Sequence, residues 1–415
     1  MTSPTDRSYR ALLAVPSLPR ILASMAVARI AGAMVSITIV LFTLTEYHSP
    51  ELAGLVTFAS IMPGLLVSPI AGALLDRHGR TRLVMLDYWI AAGALTLIGI
   101  LALAGALPAW LLVLIAAAAS LTAPLSNTGL RSLFPVIVPE PLWERVNAVD
   151  SNGYVLSTLV GPPVAAAMVQ VAGGPVTMLF IGVMLAAAAL ILIGTKEPVT
   201  TASSSGRLLR DALDGLAYTL RNGTIRGLGL AMSLLNVGTG ILTIAIPIIV
   251  LDQLHASASF VGLIWAFAGA CGMVTAFVFG RMDSRGREKG WLVWSVVGCG
   301  VVMALLLVNT SLAALFIVMG ISGILNGPLD IALFTLRQRR TDPAWMGRAF
   351  AVSASFNFIG YPIGTAIAGV FVVQSFEATI ALGVGACLVA AFLGWWQIPR
   401  DVTTVSRESE AAAAA

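Results

Sequence analysis

The chain has 415 residues, 58% apolar and 11% charged, with a formal net charge of +4 and a mean hydropathy of +0.92. A soluble domain carries about 45–50% apolar and about 25% charged residues, so this composition excludes a water-soluble globule and describes an integral membrane protein. The thin positive charge gives no footing for nucleic-acid binding. Three cysteines in apolar runs (Cys271, Cys299, Cys387) and three scattered histidines (His48, His78, His255) offer no disulfide framework, metal spacing or cofactor motif.

About 20 apolar residues are needed to cross about 30 Å of hydrocarbon as a helix. Stretches free of Asp, Glu, Lys and Arg predict spans over 20–43, 52–75, 83–104, 109–134, 147–171 and 175–195. Further spans follow over 226–251, 259–279, 290–308, 312–336, 348–373 and 377–398. Three of the stretches are long enough for two helices. They divide at Gly105 to Pro108, at Gly173-Gly174-Pro175 and at Asn309-Thr310-Ser311. The arm before the first span carries Arg7, Arg10 and Arg20 without a short apolar core and cleavage site, so the first span is expected to be retained.

An even number of spans puts both ends of this chain on one side. Every basic residue except Arg29 falls on that side, while the opposite loops hold only Glu46, Glu51, Asp252 and Glu377. The positive-inside rule then predicts cytoplasmic termini in an inner or plasma membrane. Trp143, Trp291, Trp294, Trp395 and Trp396 near span ends read as interfacial anchors.

Six spans (residues 1–195) precede a polar connection (196–225) and six follow it (226–399); a polar tail over 400–415 reads as disordered. The connection is expected to be cytoplasmic, with a short amphipathic helix bearing Leu208, Leu209, Leu213 and Leu216. The halves repeat. Asp76-Arg77-His78-Gly79-Arg80 recurs as Asp283-Ser284-Arg285-Gly286-Arg287, Pro124-Leu125 as Pro328-Leu329, and Arg145 with Gly161 and Ala165 as Arg348 with Gly364 and Ala368. All lie at an offset of 203–207 residues. Parallel six-span repeats of this kind describe a transporter whose substrate site lies at the membrane midplane.

Gly72-Ala73-Leu74-Leu75-Asp76-Arg77-His78-Gly79-Arg80 resembles the loop signature of the major facilitator superfamily, and the likeness runs the whole chain. Finer features resemble the branch holding the enterobactin exporter and macrolide-efflux proteins: Arg131-Ser132-Leu133-Phe134-Pro135 leading to Arg145-Val146-Asn147, Gly161-Pro162, and Gln338-Arg339-Arg340 leading to Gly347-Arg348. Where antiporters of the superfamily often place Gly-Gly after Gly-Pro, this chain has Ala165-Ala166. The resemblance implies two pseudo-symmetric six-helix bundles working by alternating access, with the first, fourth, seventh and tenth helices lining the cavity. It also implies a latch built on Gly72, Asp76, Arg77, Gly79 and Arg80, repeated at Asp283 and Arg287. On the residues alone these loops read equally as tight turns with topology-setting arginines.

No nucleophile lies beside a base, so the chain is not read as an enzyme; function is sought in polar groups placed within the bilayer, which are costly there. Arg29 lies inside hydrocarbon depth, because the charge-free stretch 30–45 covers only about 24 Å. It either snorkels to the interface or faces the cavity with Ala33 and Ser36, binding an anionic substrate group or an acid such as Asp330. Asp330, one turn from Asn326, is the first candidate for protonation, with Arg337 its alternative structural partner. Asp87 and Asp150 are expected to pair structurally with Arg82 and Arg145. Further cavity candidates are Thr122, Ser126 and Asn127 in the fourth span and Asn236, Thr239 and Thr243 in the seventh, which serve equally well as glue between helices. Gly161 and Pro162, like Pro362 and Gly364, are expected to bend or closely pack their helices.

With no nucleotide-binding motif, the driving force is an ion gradient, expected to be protons, or the substrate's own gradient. The sequence therefore predicts a monomeric secondary transporter exporting a small amphipathic molecule of the drug or siderophore kind. An importer or facilitator of an anionic metabolite, a lipid flippase and a non-transporting receptor remain alternatives.

Overall fold

The computed structural model describes residues 8–195, 197, 216–282, 284, 286–341, 353 and 355–399. Asp283, most of the connection after the sixth span, and the tail from residue 400 lie outside them, as do the side chains of Asp76 and Arg77. Among the described residues every regular element is helical. Without water to satisfy free backbone groups in a bilayer, a helix is the element that closes its own hydrogen bonds.

Over their described residues the expected spans are helical apart from short breaks, and residues 348–352 of the eleventh lie outside the described residues. Among the described residues ten helices are long and apolar enough to cross a membrane, and Ala109–Ser120 and Ser355–Phe371 are shorter apolar ones. The first span is Leu18–Tyr47, the third Arg80–Leu103, the fifth Trp143–Ala172 and the sixth Gly174–Ile191. The eighth is Ser259–Phe279, the ninth Glu288–Met303, the tenth Leu312–Arg340 and the twelfth Phe376–Gln397. The second span is broken between Pro50–Ala59 and Met62–His78, and the fourth between Ala109–Ser120 and Ala123–Gly129. In each case a proline (Pro63, Pro124) sits in the first turn of the second piece, where its missing N–H costs least. The seventh span, Gly223–Ile248, contains Pro247 and ends in a wider π turn over Ile249–Gln253. Pro162 and Pro163 behave otherwise: the fifth span runs through both as one helix of 30 residues. Pro362 lies in the first turn of Gly360–Phe371, after an interruption at Ile359.

Serines start helices on the side opposite the basic residues. Ser49, Ser311 and Ser375 each accept from the backbone N–H three residues on, at 3.1 to 3.2 Å.

The chain forms two compact units. The first takes in Met1–Leu208 with Ile246–Ala266, the second Leu209–Ala245 with Phe267–Ala415. In the first, the first span packs on the fifth and sixth, and the third on the sixth. The segment Ile246–Ala266 joins it through Gly262, where a Cβ would lie 2.6 Å from the Pro162 carbonyl, and through Ser259, whose hydroxyl donates to Gln170 Oε1 at 2.5 Å. In the second, the ninth span packs on the tenth and twelfth. Helices approach closely where a side chain is missing, the rule for packing in lipid. A Cβ on Gly161 would sit 2.5 Å from Ala33 Cβ, and one on Gly364 2.1 Å from the Val237 carbonyl oxygen.

Candidate functional site

The deepest charge cluster belongs to the first unit. Arg29 donates from Nη2 to Asp150 Oδ1 at 2.6 Å and from Nη1 to the Asp150 backbone carbonyl at 2.7 Å. Arg131 holds the other carboxylate oxygen, donating from Nε to Oδ2 at 2.6 Å. The Asp150 side chain is 4% exposed, Arg29 18% and Arg131 51%. A planar guanidinium suits this two-pronged contact as an ammonium would not. Two guanidiniums thus share one carboxylate. Arg29 is therefore held by Asp150 rather than snorkelling, and Asp150 pairs with Arg29 and Arg131 where Arg145 was expected. Sequence distance hid this arrangement, since Arg29 and Asp150 are 121 residues apart.

Asp87, in the third span, is 4% exposed and lies near Ser126 and Thr122 in the fourth, whose hydroxyls donate to the backbone carbonyls of Ala123 and Ala119. No ion pair to Arg82 forms. Gly129 makes this approach possible: a Cβ there would fall 2.5 Å from Val84 Cγ2, one turn before Asp87.

In the second unit Asn326, Asp330, Phe334 and Gln338 recur every fourth residue along the tenth span, and all four are exposed. Arg337 is not the partner of Asp330. It is buried at 2%, its guanidinium stands 5.8 Å from the Phe334 ring centroid, and its Nη2 donates to the Asn357 side-chain oxygen at 2.6 Å once that amide is oriented to receive it. Asn236 joins the seventh span to the eleventh, donating to the Asn357 backbone carbonyl at 2.9 Å. Thr243 does the same, its hydroxyl lying 3.2 Å from that of Tyr361. Asn127 of the fourth span is exposed.

Of the loop signature, Gly79 takes φ +88°, a left-handed conformation that favours glycine, and the third span begins at Arg80. Sequence reasoning missed Glu197. Its carboxylate accepts from the backbone N–H groups of Arg80 and Thr81 at 3.1 and 3.0 Å, a negative charge at the positive end of a helix. A lone acid just past the sixth span was the available signal. Arg287, the counterpart of Arg80, is exposed before the ninth span, whose first residue, Glu288, is buried and ion-paired with Arg339.

Residues 21–236 and 228–414 match the sequence profile of the Major Facilitator Superfamily. The chain is a member of that superfamily, a multi-pass membrane transporter and not an enzyme. It is 36% identical to the uncharacterized MFS-type transporter y4rN of Sinorhizobium fredii over 96% of this chain and 99% of that one. It is 23% identical to macrolide efflux protein A of Streptococcus pyogenes, over 84% of this chain and 87% of the relative. Among solved structures, the nucleoside transporter NupG superposes with a TM-score of 0.75 at 14% identity, covering 92% of this chain and 99% of that one.

Proposed function

We propose that this transporter is an ion-coupled exporter of small amphipathic molecules, working by alternating access, with protons as the coupling ion and its basic side facing the cytoplasm. The observation that carries the reading is the exposed row Asn326, Asp330, Phe334 and Gln338. Asp330 lies ten residues from the end of its helix at Arg340, about 15 Å in at 1.5 Å per residue. An exposed carboxylate at that depth is tolerable against water and prohibitive against lipid tails, so this face lines an aqueous path. The row offers a carboxylate, two amides and an aromatic ring, a surface suited to a molecule that is part polar and part apolar. Likeness to a macrolide efflux protein supports the outward direction. The anionic-metabolite alternative drew on Arg29, whose guanidinium is engaged by Asp150. The loop from Gly72 to Arg80, with its repeat at Asp283 and Arg287, acts as the latch between access states.

The test is accumulation of a panel of macrolides and fluorescent dyes in cells lacking other efflux pumps, with and without a protonophore. Expression should lower accumulation of at least one compound, and the protonophore should restore it. Equal accumulation of the whole panel with and without the protein would sink the exporter reading.

A further inference from the structure

We propose that Arg131 anchors an oxyanion-binding subsite on the first unit, which receives the acidic group of an amphipathic molecule. Its place in transport rests on the exporter reading above, which it narrows to substrates bearing a carboxylate, sulfonate or phosphate.

A guanidinium offers two forks of paired N–H groups, a side fork from Nε and Nη2 and an end fork from Nη1 and Nη2. The two arginines on Asp150 use different ones. Arg29 comes end-on, with Nη2 on Oδ1 at 2.6 Å and Nη1 on the Asp150 backbone carbonyl at 2.7 Å, so its end fork is occupied. Arg131 comes side-on, with Nε and Nη2 both 2.6 Å from Oδ2. Its end fork is left over, and the side chain is 51% exposed. An oxyanion placed there meets a planar, two-pronged partner, the geometry in which arginine binds such groups best. Two guanidiniums share one carboxylate, so an arriving anion meets more cations than acids.

Depth argues against an idle surface charge. Asp150 lies seven residues past Trp143, where its helix begins, about 10 Å along the axis. A guanidinium bonded to it and half exposed at that depth faces water, because charge exposed to lipid tails is prohibitive. The surroundings suit a molecule with an apolar body. Tyr154, one turn beyond Asp150, is 55% exposed, and Asn127, one turn before Arg131, presents an exposed amide. On the first span Gly32, just beyond Arg29, opens on free space: among the described residues nothing lies within 4 Å of where its Cβ would be. Three helices thus supply a fork, an amide, an aromatic ring and room.

A free amphipathic acid and the phosphate of an anionic lipid carry the same chemistry, and the experiment separates them. Purified full-length protein is held in nanodiscs of phosphatidylcholine, and binding of naphthaleneacetic acid and of its neutral amide is measured by titration calorimetry. The acid should bind more tightly than the amide. Arg131→Gln should weaken the acid about tenfold or more and leave the amide unchanged. Arg131→Lys keeps a charge beside Asp150 but has no fork, so the acid should weaken about threefold, and this variant keeps the test decisive should Arg131→Gln not fold. Arg10→Gln, in the N-terminal arm, should bind both compounds as the wild type does. Dihexanoyl phosphatidylglycerol, titrated in the same way, assigns the source. Arg131-dependent binding tighter than that of the acid means a lipid headgroup, and weaker binding means a free acid. Absence of Arg131-dependent binding by both the acid and the lipid would overturn the proposal. Arg131-dependent binding in a protein that exports none of the panel would sink the exporter reading and keep the subsite. Export by wild type and Arg131→Gln alike, without such binding, would sink the subsite and keep the exporter.

Discussion

The two halves keep the same helix contacts and differ in what they bury. Gly161 against Ala33 in the first half corresponds, at an offset of 203–204 residues, to Gly364 against Val237 in the second. Both contacts join the opening helix of a half to its fifth. At the same offsets Arg29 and Asp150 become Ser233 and Ser353, and Arg131 becomes Phe334 or Thr335. The charges of this cluster thus have no charged counterparts at the matching positions, and in the second half the guanidinium of Arg337, within the tenth helix, meets the Asn357 amide. Backbone proximity tolerates little change, because a misplaced Cβ collides with a neighbouring helix. Polar clusters tolerate a great deal, provided that partners change together. The lesson is that the repeat is conserved where helices touch and has diverged where charge is buried.

The most severe way to break this comparison is Asp150→Ala, which leaves two guanidiniums, one of them largely buried, without a counter-charge. Loss of one partner from a buried pair costs about 3–5 kcal/mol. Its counterpart Ser353→Ala, in the neutral half, should cost about 1 kcal/mol or less. Unfolding by sodium dodecyl sulfate in mixed micelles measures both, and equal losses would refute the contrast.

The contact glycines give the next effect. Gly364→Ala places a Cβ against a backbone carbonyl, and Gly161→Ala places one against another side-chain carbon. Overpacking costs about 1–3 kcal/mol. Gly364→Ala should lie at the upper end and Gly161→Ala lower, in the same unfolding assay. A reversed order would mean that the halves do not share this packing.

Arg29→Lys should have the smallest effect. Lysine keeps the charge near Asp150 but cannot reach its carboxylate and backbone carbonyl together, so a loss of about 1 kcal/mol is expected. Arg131→Lys, at a half-exposed position, should cost less still. If Arg29→Lys were silent in a thermal unfolding assay, the two-pronged contact would contribute nothing to stability.

Much of the fold was legible in the sequence, because apolar length, breakers and one-sided arginines are local properties. The break before Pro124 was not recognised, since charge-free length does not register a proline inside a span. The partners of the buried acids were also missed. Arg82 and Arg145 are near Asp87 and Asp150 in sequence, but partners in a helical bundle come from neighbouring helices. The packing of the first span on the fifth brings Arg29 to Asp150, and the missing side chain of Gly129 lets the fourth span approach Val84 in the third. The spacing of Asn326 and Asp330 could be read from the sequence because one helical turn separates them on a single element.

The first unit includes Ile246–Ala266, a stretch drawn from beyond the connection between the halves. During synthesis the first six helices therefore emerge into the membrane before the segment that completes their unit has been made. Until Gly262 arrives, Pro162, Pro163 and Ala166 lack the neighbour that covers them in the folded unit. A gene split in the connection would yield a first fragment lacking a piece of its own packing, and that piece would have to be supplied in trans by the second.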